Sequence, residues 1–462
     1  MNANSLKQVP LLTLLLVAGL LLFSYLPPWQ WESFSLKSVN ILADLEADAP
    51  QVAKQRKPLP DKKEARKIAE RSCPAGVTCI EDFSAHRDGM KQIMQALAER
   101  SKKEPVRIAF FGDSFIEGDM ICGYFRDTLQ NVFGGRGVGY VPIASQVAAF
   151  RATIRHQFQN IKTYSVLAHE VSGPALGASG FSFVPEGGNY VNYSTSRPYG
   201  ASQFDHVRIF YKSKQPSYLY YVANGTEQAV TLKSQNQMSE IDLPALSNRV
   251  RMSFDGGLTL YGVSFEADSG VYVDNFSIRG NSGWGLLGVS EKMYRQFNEY
   301  QHYKLVILQY GLNVIQPNTR QLGWYVPKML EAIERIKKGF PEASILLIGV
   351  SDRSTRQQGN YISFPSIPYL IEAQRGMARK TGVTFWNLWE AMGGEGSMVK
   401  LVDAGLANKD YTHLKYAGGQ KIARLLAQAL LFEKKKYYDQ KPPVASAERL
   451  AVQSGKSSDS RL

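Results

Sequence analysis

Short apolar runs that alternate with amphipathic helical stretches constrain the fold of this chain more than any other feature of its sequence. The apolar runs lie at residues 106–111, 305–309 ("LVILQ"), 345–350 ("ILLIGV") and 383–388, and helical stretches lie at 326–338, 367–380 and 418–432. Each run is short and almost wholly apolar, which is the pattern of a strand buried on both faces. Strands that are joined through helices pair in parallel. The sequence therefore predicts an α/β fold with helices on both faces of a parallel sheet.

The middle of the chain has a different pattern. Between residues 144 and 268 polar and apolar residues alternate, as in "HVRIFYKS", "SYLYYVANG" and "LTLYGVSFEA". A period of two indicates strands with one buried face, which form antiparallel sandwiches. Because this stretch interrupts the α/β pattern, we interpret it as an inserted all-β domain of the jelly-roll kind.

An uncharged apolar run, "VPLLTLLLVAGLLLFSYL" at residues 9–26, follows Lys7. As a helix it would reach about 27 Å, enough to cross a bilayer core. No small-x-small cleavage site directly follows it, so we predict an uncleaved signal anchor, with a cleaved signal peptide as the alternative. The charges of Lys7 on one side, and of Glu32 ahead of Lys37 on the other, favour placing the rest of the chain outside the cytoplasm.

Much of the formal net charge of +13 lies in one segment. Residues 51–72 hold eight basic residues against three acidic ones, a net +5, and no recognisable nucleic-acid motif accompanies them. We interpret this segment as a solvated linker, with attraction to anionic lipid or to an acidic wall polymer as the alternative. No nucleic-acid partner is predicted.

These features divide the chain into segments with different expected structures. They are a cytoplasmic N-terminus at 1–8, a transmembrane signal anchor at 9–26, a linker at 27–82, the first part of the α/β domain at 83–143, the inserted β-domain at 144–270, the second part of the α/β domain at 271–436 and a disordered tail at 437–462.

The three cysteines are compatible with an oxidising compartment. Cys73 and Cys79 are spaced to close a short loop by a disulfide. Cys122 lies on the apolar side of a predicted helix and is expected to be buried packing, not a reactive thiol. Neither the cysteine spacing nor nearby histidines indicate a zinc site, and no metal is predicted.

The first apolar run ends at a small hydroxyl residue. In "RIAFFGDSFIEGD" the strand is followed by Gly112, Asp113 and Ser114, and a helical pattern comes next. Ser114 is either the cap of an ordinary strand-to-helix turn or a nucleophile held at the open edge of the sheet. We assign turn and capping roles to Asp113 and to Asp119.

His413 has a carboxylate partner at a useful spacing, unlike the other five histidines. Asp410 precedes it by three residues in "DYTH", just ahead of the final helical stretch. In such a turn the carboxylate can accept the Nδ1 hydrogen of the imidazole, which leaves Nε2 to take a proton from a serine. Ser114, His413 and Asp410 are therefore candidate catalytic residues.

An acyl-transfer site also needs N–H donors for a developing oxyanion. Gly280 in "IRGNSG" and Asn313 in "QYGLNV" each follow a predicted strand. Carboxyl ends of parallel strands meet at one edge of the sheet, so the backbone amides of Ser114 and Gly280 and the side-chain amide of Asn313 are candidate donors.

Four aromatic residues near these blocks have two interpretations. The four residues are Trp284, Trp324, Tyr325 and Trp386. Each is either a platform on which a sugar ring stacks or an ordinary core residue.

These stretches together resemble the four sequence blocks of the SGNH hydrolases, also called GDSL-type esterases. The blocks are matched in order by "FFGDSF", "IRGNSG", "QYGLNV" and "DYTH". The resemblance implies a flavodoxin-like three-layer domain with Ser114 as nucleophile, His413 as base and Asp410 as its orienting partner. It assigns the oxyanion hole to Ser114, Gly280 and Asn313, and it implies no cofactor. The first block has Phe after the serine where the lipase-like form has Leu, which argues against a lipase.

The long interval between the first two blocks narrows the resemblance. A minimal SGNH domain has a few tens of residues there, whereas this chain has the whole β-rich stretch. The arrangement resembles the peptidoglycan O-acetylesterases of Gram-negative bacteria, in which a carbohydrate-binding-like sandwich interrupts the catalytic domain. It also resembles the extracytoplasmic SGNH proteins that accompany membrane-bound O-acyltransferases.

The resemblance implies a serine esterase that removes O-acetyl groups from a cell-envelope glycan such as peptidoglycan or an exopolysaccharide. Two alternatives stay open: a polysaccharide O-acetyltransferase that works with a membrane-bound O-acyltransferase, and a non-catalytic glycan-binding protein. With the predicted anchor, we expect a single-pass protein of the bacterial inner membrane whose catalytic domain lies in the periplasm or outside the cell. The expected partners are an acetylated glycan and the membrane.

Overall fold

The computed structural model of the protein describes residues 29–31, 34–36, 73–168, 173–196 and 203–440. The predicted anchor at 9–26, most of the predicted linker and nearly all of the predicted tail lie outside the described residues. Among the helices of the described part, none has the length and apolar character needed to cross a membrane. The chain divides into two compact units, Met1–Ile68 and Ala69–Leu462.

The strands and helices of the described residues have the following bounds. The strands are, in chain order, β1 (Trp29–Trp31), β2 (Phe34–Leu36), β3 (Ile80–Asp82), β4 (Pro105–Gly112), β5 (Gly139–Val141), β6 (Ile154–Ser165), β7 (Phe181–Thr195), β8 (Phe204–Ser213), β9 (Ser217–Val222), β10 (Glu227–Leu232), β11 (Ser239–Ser247), β12 (Arg249–Phe254), β13 (Leu258–Glu266), β14 (Gly270–Ser277), β15 (Leu305–Gln309), β16 (Ser344–Ile348), β17 (Ser354–Gln357), β18 (Asn360–Ser363) and β19 (Thr384–Trp386). The helices are α1 (Lys91–Glu99), α2 (Cys122–Phe133), α3 (Glu291–Gln301), α4 (Val326–Gly339), α5 (Ile367–Thr381), α6 (Leu388–Met392), α7 (Ser397–Asp403) and α8 (Tyr416–Gln440), with short 3-10 turns at Glu117–Asp119, Ala148–Phe150 and Trp284–Gly288.

The first unit contains β1 and β2, which pair antiparallel. In the second unit the predicted apolar runs form one sheet, with strand order β14-β4-β15-β16-β19-β3. Its first five strands are parallel, and all residues of β15 and β16 are buried, which explains why these strands are apolar throughout. In chain order the parallel strands run 2-1-3-4-5, the order of flavodoxin-like folds. The predicted parallel α/β sheet is confirmed.

One edge of this sheet is built from residues that the sequence pattern assigned to the linker at 27–82. Strand β3 pairs antiparallel with β19. Just before it, Cys73 and Cys79 form a disulfide with their Cα atoms 6.0 Å apart. A carboxylate oxygen of Glu81 in β3 accepts a hydrogen bond from Nε of Arg375 on α5 at 2.9 Å. A strand of three residues is too short to show a period, so the sequence gives no signal for it.

The helices pack in two groups. Helix α8 contacts α1 and α2, whereas α4 contacts both α3 and α5. Right-handed crossovers put the two groups on opposite faces of the sheet, because the chain moves across the sheet in one direction from β4 to β14 and in the other direction from β14 through β15 to β19. The reversal occurs at β4, so the open crevice of the sheet lies at the carboxyl end of that strand. Helix α8 runs to Gln440 and so takes in the first residues of the predicted tail at 437–462.

The β-rich middle of the chain forms a large antiparallel sheet. Its strand order is β10-β9-β12-β7-β13-β8-β11, with β5 paired to β13 and β6 paired to β7. Its apolar faces enclose a second core, separate from that of the α/β sheet. The antiparallel sheet already begins with β5, ahead of the predicted start at residue 144, and its last strand ends at Glu266. The limits of an independent inserted domain at 144–270 stay a prediction.

Buried ion pairs join the two sheets. Glu266, at the end of β13, accepts hydrogen bonds from Arg107 of β4 at 3.0 Å and from Arg208 of β8 at 3.3 Å. These two guanidinium groups hold the pKa of Glu266 at about 2, although burial alone would raise it. A buried charge is tolerated only when it is paired in this way, so the carboxylate fixes the position of the antiparallel sheet on the parallel one.

Candidate active site

Ser114 lies at the carboxyl end of β4, two residues after the strand. The turn needs a glycine at position 112, because a Cβ atom there would lie 2.7 Å from the Ile116 side chain. Ser114 is only 8% exposed. The serine is thus held at the point where the sheet reverses direction, as the sequence predicted for a nucleophile at the sheet edge.

The loop before α8 brings His413 to Ser114. The Oγ atom of Ser114 and the Nε2 atom of His413 are 2.9 Å apart. The other ring nitrogen, Nδ1, lies 2.8 Å from Oδ2 of Asp410. Ser114 is therefore linked to a pair of residues from the far end of the sequence, in one continuous hydrogen-bonded chain of Ser114, His413 and Asp410.

Asp410 is fixed by its own turn. Its Oδ1 atom accepts hydrogen bonds from the backbone amides of Thr412 and His413, both at 3.0 Å. Burial would raise the pKa of Asp410, but the hydrogen bonds from His413 and Thr412 hold it below its ordinary value. The carboxyl group is therefore ionised at neutral pH and accepts the Nδ1 hydrogen. This leaves the lone pair of Nε2 facing the serine hydroxyl.

The candidate oxyanion donors follow the two strands on either side of β4. Gly280 comes three residues after β14 and has φ = 79°, a left-handed conformation that favours glycine. A Cβ atom at this position would meet no other atom within 4 Å, so the space beside its backbone is open. Asn313 comes four residues after β15.

Asn313 connects the serine turn to the Gly280 turn. Its Nδ2 atom donates to the backbone oxygen of Asn281 at 3.1 Å and to Oδ2 of Asp113 at 3.3 Å. The structure therefore brings the three candidate donors into one place, since Asp113 precedes Ser114 and Asn281 follows Gly280. Both hydrogens of the Asn313 amide have acceptors here, so one of these bonds must be exchanged before the amide can donate to an oxyanion.

Asp113 has a larger role than the predicted turn. It is fully buried, and its Oδ1 atom accepts the backbone hydrogen of Phe115 at 2.9 Å, which is the expected turn bond. Its Oδ2 atom accepts from Asn313, a contact that the sequence spacing did not reveal. Burial, with a smaller contribution from the charge of Glu117, raises the pKa of Asp113 to about 7.

Asp119 is engaged in the packing between the sheets. Its Oδ2 atom is 2.7 Å from Arg126 and 3.2 Å from Arg151, and it also accepts from the hydroxyl of Thr153 at 2.7 Å. Burial would raise the pKa of Asp119, but the two arginines hold it well below its usual range. Asp119 lies in the 3-10 turn, as predicted, but the predicted capping role is wrong, because neither that turn nor α2 has a side-chain cap hydrogen bond. Its carboxylate instead anchors the start of β6 to α2.

The structure separates the four candidate stacking residues. Tyr325 and Trp386 are buried core residues. Trp284 and Trp324 pack together with ring centroids 5.6 Å apart, and Trp324 is 50% exposed. Trp324 is therefore the member of this set with a ring open to a sugar.

Sequence reasoning missed a short hairpin next to the histidine loop. Strands β17 and β18 pair antiparallel, and Tyr361 of β18 stacks on Tyr411, which follows Asp410. The centroids of the two rings are 3.6 Å apart. The two tyrosines would have been the only sequence signal, because each strand has just four residues.

Among the described residues, no group of three or more His, Cys, Asp or Glu side chains is arranged to hold a metal ion. Cys122 is buried, and burial raises the pKa of its thiol. Nothing in the site's geometry uses this thiol, in line with the packing role predicted for it.

Comparisons with known proteins support the fold. The chain is similar to a solved structure of a peptidoglycan O-acetylesterase, with 22% identity and a TM-score of 0.64, over 77% of this chain and 99% of that chain. Weaker similarities are to a family two carbohydrate esterase from Cellvibrio japonicus, with 9% identity and a TM-score of 0.25 over 61% and 99% of the two chains, and to an acetyl xylan esterase, with 13% identity and a TM-score of 0.26 over 34% and 81%. No family model and no curated protein matches the sequence.

Proposed function

We propose that this chain, which has the fold of the SGNH or GDSL-type esterases, is an extracytoplasmic serine esterase that removes O-acetyl groups from a cell-envelope glycan. The observation that carries the proposal is the chain of hydrogen bonds from Ser114 through His413 to Asp410, with distances of 2.9 and 2.8 Å. A glycan-binding protein without catalysis has no need of this arrangement beside a sheet edge.

The geometry supports a two-step reaction. Ser114 Oγ attacks the acetyl carbonyl carbon while Nε2 of His413 takes the hydroxyl proton. His413 then gives this proton to the sugar oxygen as the C–O bond of the ester breaks, and the acetyl group stays on Ser114. Water attacks the acetyl-serine with His413 again as base, which releases acetate and restores the serine. Asp410 keeps the imidazole in the required tautomer and stabilises its charged form.

The carbonyl oxygen gains negative charge in both steps. We assign its stabilisation to the backbone amides of Ser114 and Gly280 and to Nδ2 of Asn313. The proposal requires Asn313 to exchange one of its present bonds, to Asp113 or to Asn281, for a bond to this oxygen. When the bond given up is the one to Asn281, the charge on the oxygen makes it a better acceptor than the neutral backbone carbonyl that it replaces.

The proposed substrate is an O-acetylated glycan such as peptidoglycan or an exopolysaccharide. The likeness in fold to a peptidoglycan O-acetylesterase supports this class, and the exposed ring of Trp324 offers a surface for a sugar. We propose residues 9–26 as the single membrane anchor in the inner membrane, with the catalytic unit in the periplasm or outside the cell.

The test is release of acetate from O-acetylated peptidoglycan and from O-acetylated exopolysaccharides. We expect the native chain to release acetate and the Ser114→Ala variant to release at least roughly a thousandfold less per unit time. His413→Ala should also lose activity, because the base is removed. His86→Ala is its matched control, because His86 is exposed and belongs to none of the four blocks. Equal rates for native and Ser114→Ala protein would refute the nucleophile assignment.

A second candidate function is transfer of the acetyl group to a sugar hydroxyl in place of water. The apolar run at 9–26 favours it, since a tethered enzyme can receive acyl groups from a membrane-bound O-acyltransferase. Incubation with an activated acetyl donor and glycan oligomers, followed by mass spectrometry, separates the two. Acetylated oligomer in excess of free acetate would favour the transferase.

A further inference from the structure

A groove on the antiparallel sheet lies apart from the candidate active site. Its volume is about 990 Å³, and its lining comes from β6, β7 and β12 and from the turns at 222–225 and 247–248. None of Ser114, Gly280, Asn313, Asp410 and His413 lines it. Its chemistry is therefore independent of the esterase proposal.

Three arginines line this groove because of the strand period. Arg249 and Arg251 of β12 are exposed, whereas Val250 and Met252 between and after them are buried in the second core. Arg155 of β6 is exposed in the same way. Alternation along the strands places all three guanidinium groups on the outer face of the sheet.

Strand pairing sets the spacing of these arginines. Ser194 of β7 is opposite Arg155 on one side and opposite Arg249 on the other. Arg155 and Arg249 are therefore two strand spacings apart, roughly 10 Å, and Arg249 and Arg251 are about 7 Å apart along β12. Arg251 also lies over the ring of Tyr190, with its guanidinium carbon 4.7 Å from the ring centroid, which holds it against the sheet.

The three positive charges have no carboxylate partner in the described part of the chain. No Asp or Glu is among the residues that line the groove. Some exposed arginines elsewhere are paired with a carboxylate, as Arg136 is with Asp205 and Arg295 with Glu291, but among the described residues none of the others forms a group of three on neighbouring strands. Three adjacent unpaired guanidinium groups repel one another, and an anionic ligand would remove that repulsion.

The rest of the lining indicates what kind of anion fits. Side-chain amides and a hydroxyl line the groove together with the arginines, and these residues are Gln157, Asn192, Ser194, Asn224 and Asn248. Such groups pair with sugar hydroxyls, whereas a lipid surface would be met by exposed apolar side chains. Arginine forks match carboxylates through two parallel hydrogen bonds. We propose that this groove binds a polysaccharide chain that carries carboxylate groups. Binding there would hold the active site on its polymer, a consequence that rests on the proposed function, whereas the binding itself does not.

The test is binding of the purified full chain to fluorescently labelled polygalacturonate, a uronic-acid polymer. The variant replaces Arg155, Arg249 and Arg251 by Gln. Each exposed ion pair accounts for about 1.4- to fivefold in affinity, so the loss of three is expected to weaken binding by about tenfold. The control replaces Lys102, Lys380 and Lys421 by Gln, three exposed residues away from the groove, which removes the same charge. We expect less than about a twofold change for the control, since long-range attraction alone is screened by salt.

Further measurements test whether the arginines recognise carboxylate groups and whether the variants are folded. Carboxyl-reduced polygalacturonate should bind at least about tenfold more weakly than the native polymer, because the arginines then lose their partners. Turnover of a small acetate ester should be the same for all variants, which shows that they are folded. Equal weakening by the groove and control variants would overturn the proposal, as would tighter binding to polyphosphate or to anionic phospholipid vesicles than to polygalacturonate. If the triple variant lost ester turnover, Arg155→Gln alone would take its place, with an expected loss of about twofold or more.

Discussion

The tautomer of His413 depends on one carboxylate oxygen, which makes replacement of Asp410 by Asn an informative change. In the native site Oδ1 of Asp410 accepts the backbone hydrogens of Thr412 and His413, both at 3.0 Å, and Oδ2 accepts the Nδ1 hydrogen at 2.8 Å. The oxygen of an Asn can keep the two backbone bonds while its NH2 group takes the place of Oδ2. Two N–H donors cannot face each other, so the imidazole moves its hydrogen to Nε2.

The size of the effect follows from the position of that hydrogen. With a hydrogen on Nε2, His413 donates to Ser114 Oγ across 2.9 Å and can no longer accept its proton. We expect kcat for a small acetate ester to fall by about 10³- to 10⁴-fold. The free energy of unfolding should change little, because both backbone bonds remain. Asp410→Ala removes all three bonds of this half-exposed side chain, so it should lose similar activity and about 1 kcal/mol of stability as well.

The assay is steady-state hydrolysis of a chromogenic acetate ester, with urea unfolding of the same samples. Asp403→Asn is the matched control, since Asp403 is an exposed carboxylate at the end of α7, and it should retain native kcat. An Asp410→Asn variant that keeps kcat within about tenfold of the native value would refute the assignment of Asp410 as the residue that sets the tautomer.

Four other outcomes are expected. Asn313→Ala should lower kcat by roughly a hundredfold, because one oxyanion donor is lost, and should lower the free energy of unfolding by about 1–3 kcal/mol, because Asp113 and the Asn281 carbonyl each lose a hydrogen bond. The pKa of Asp113 is raised by burial from 3.8 to about 7, so the folded protein holds this proton more tightly than the unfolded chain does, and urea unfolding should show stability falling as pH rises from about 4 to about 7. In the Asp113→Asn variant the free energy of unfolding should fall less steeply with pH. An equally steep fall in the variant would contradict the assignment of this pH dependence to Asp113. Asp119→Asn should lower the free energy of unfolding by about 3–5 kcal/mol, measured with urea, because Arg126 and Arg151 lose their buried partner.

The parallel sheet and the group of Ser114, His413 and Asp410 could be predicted, because each produces a recognisable pattern in a short stretch of sequence. Buried strands are apolar throughout, as β15 and β16 are. The DxxH spacing positions a carboxylate on an imidazole within one turn, so Asp410 and His413 needed no knowledge of the rest of the fold. Once the strand order is that of a doubly wound sheet, the carboxyl end of β4 is the place where the serine meets them.

The remaining features depend on contacts between distant residues. Asp113 lies beside Asn313 only because β4 and β15 are neighbours, and no spacing in the sequence shows this. The pairing of Glu266 with Arg107 could not be predicted either. A charged residue in a strand is predicted to be exposed unless its buried partner is known. Strand β3 and the hairpin of β17 and β18 are too short to carry a period.

The position of the antiparallel sheet within the chain governs the order in which the protein can assemble. Strand β4 is synthesised before both of its neighbours, β14 and β15, and the entire antiparallel sheet separates it from them along the chain. Neighbours in sequence such as β9 and β10 pair through local contacts, which form quickly, whereas β4 must wait for partners that arrive late. Until then its apolar residues are exposed to aggregation. The docking of β14 against β4 that ends this exposure also carries Gly280 towards Ser114, so the proposed active site stays incomplete in the nascent chain until its central strand is protected.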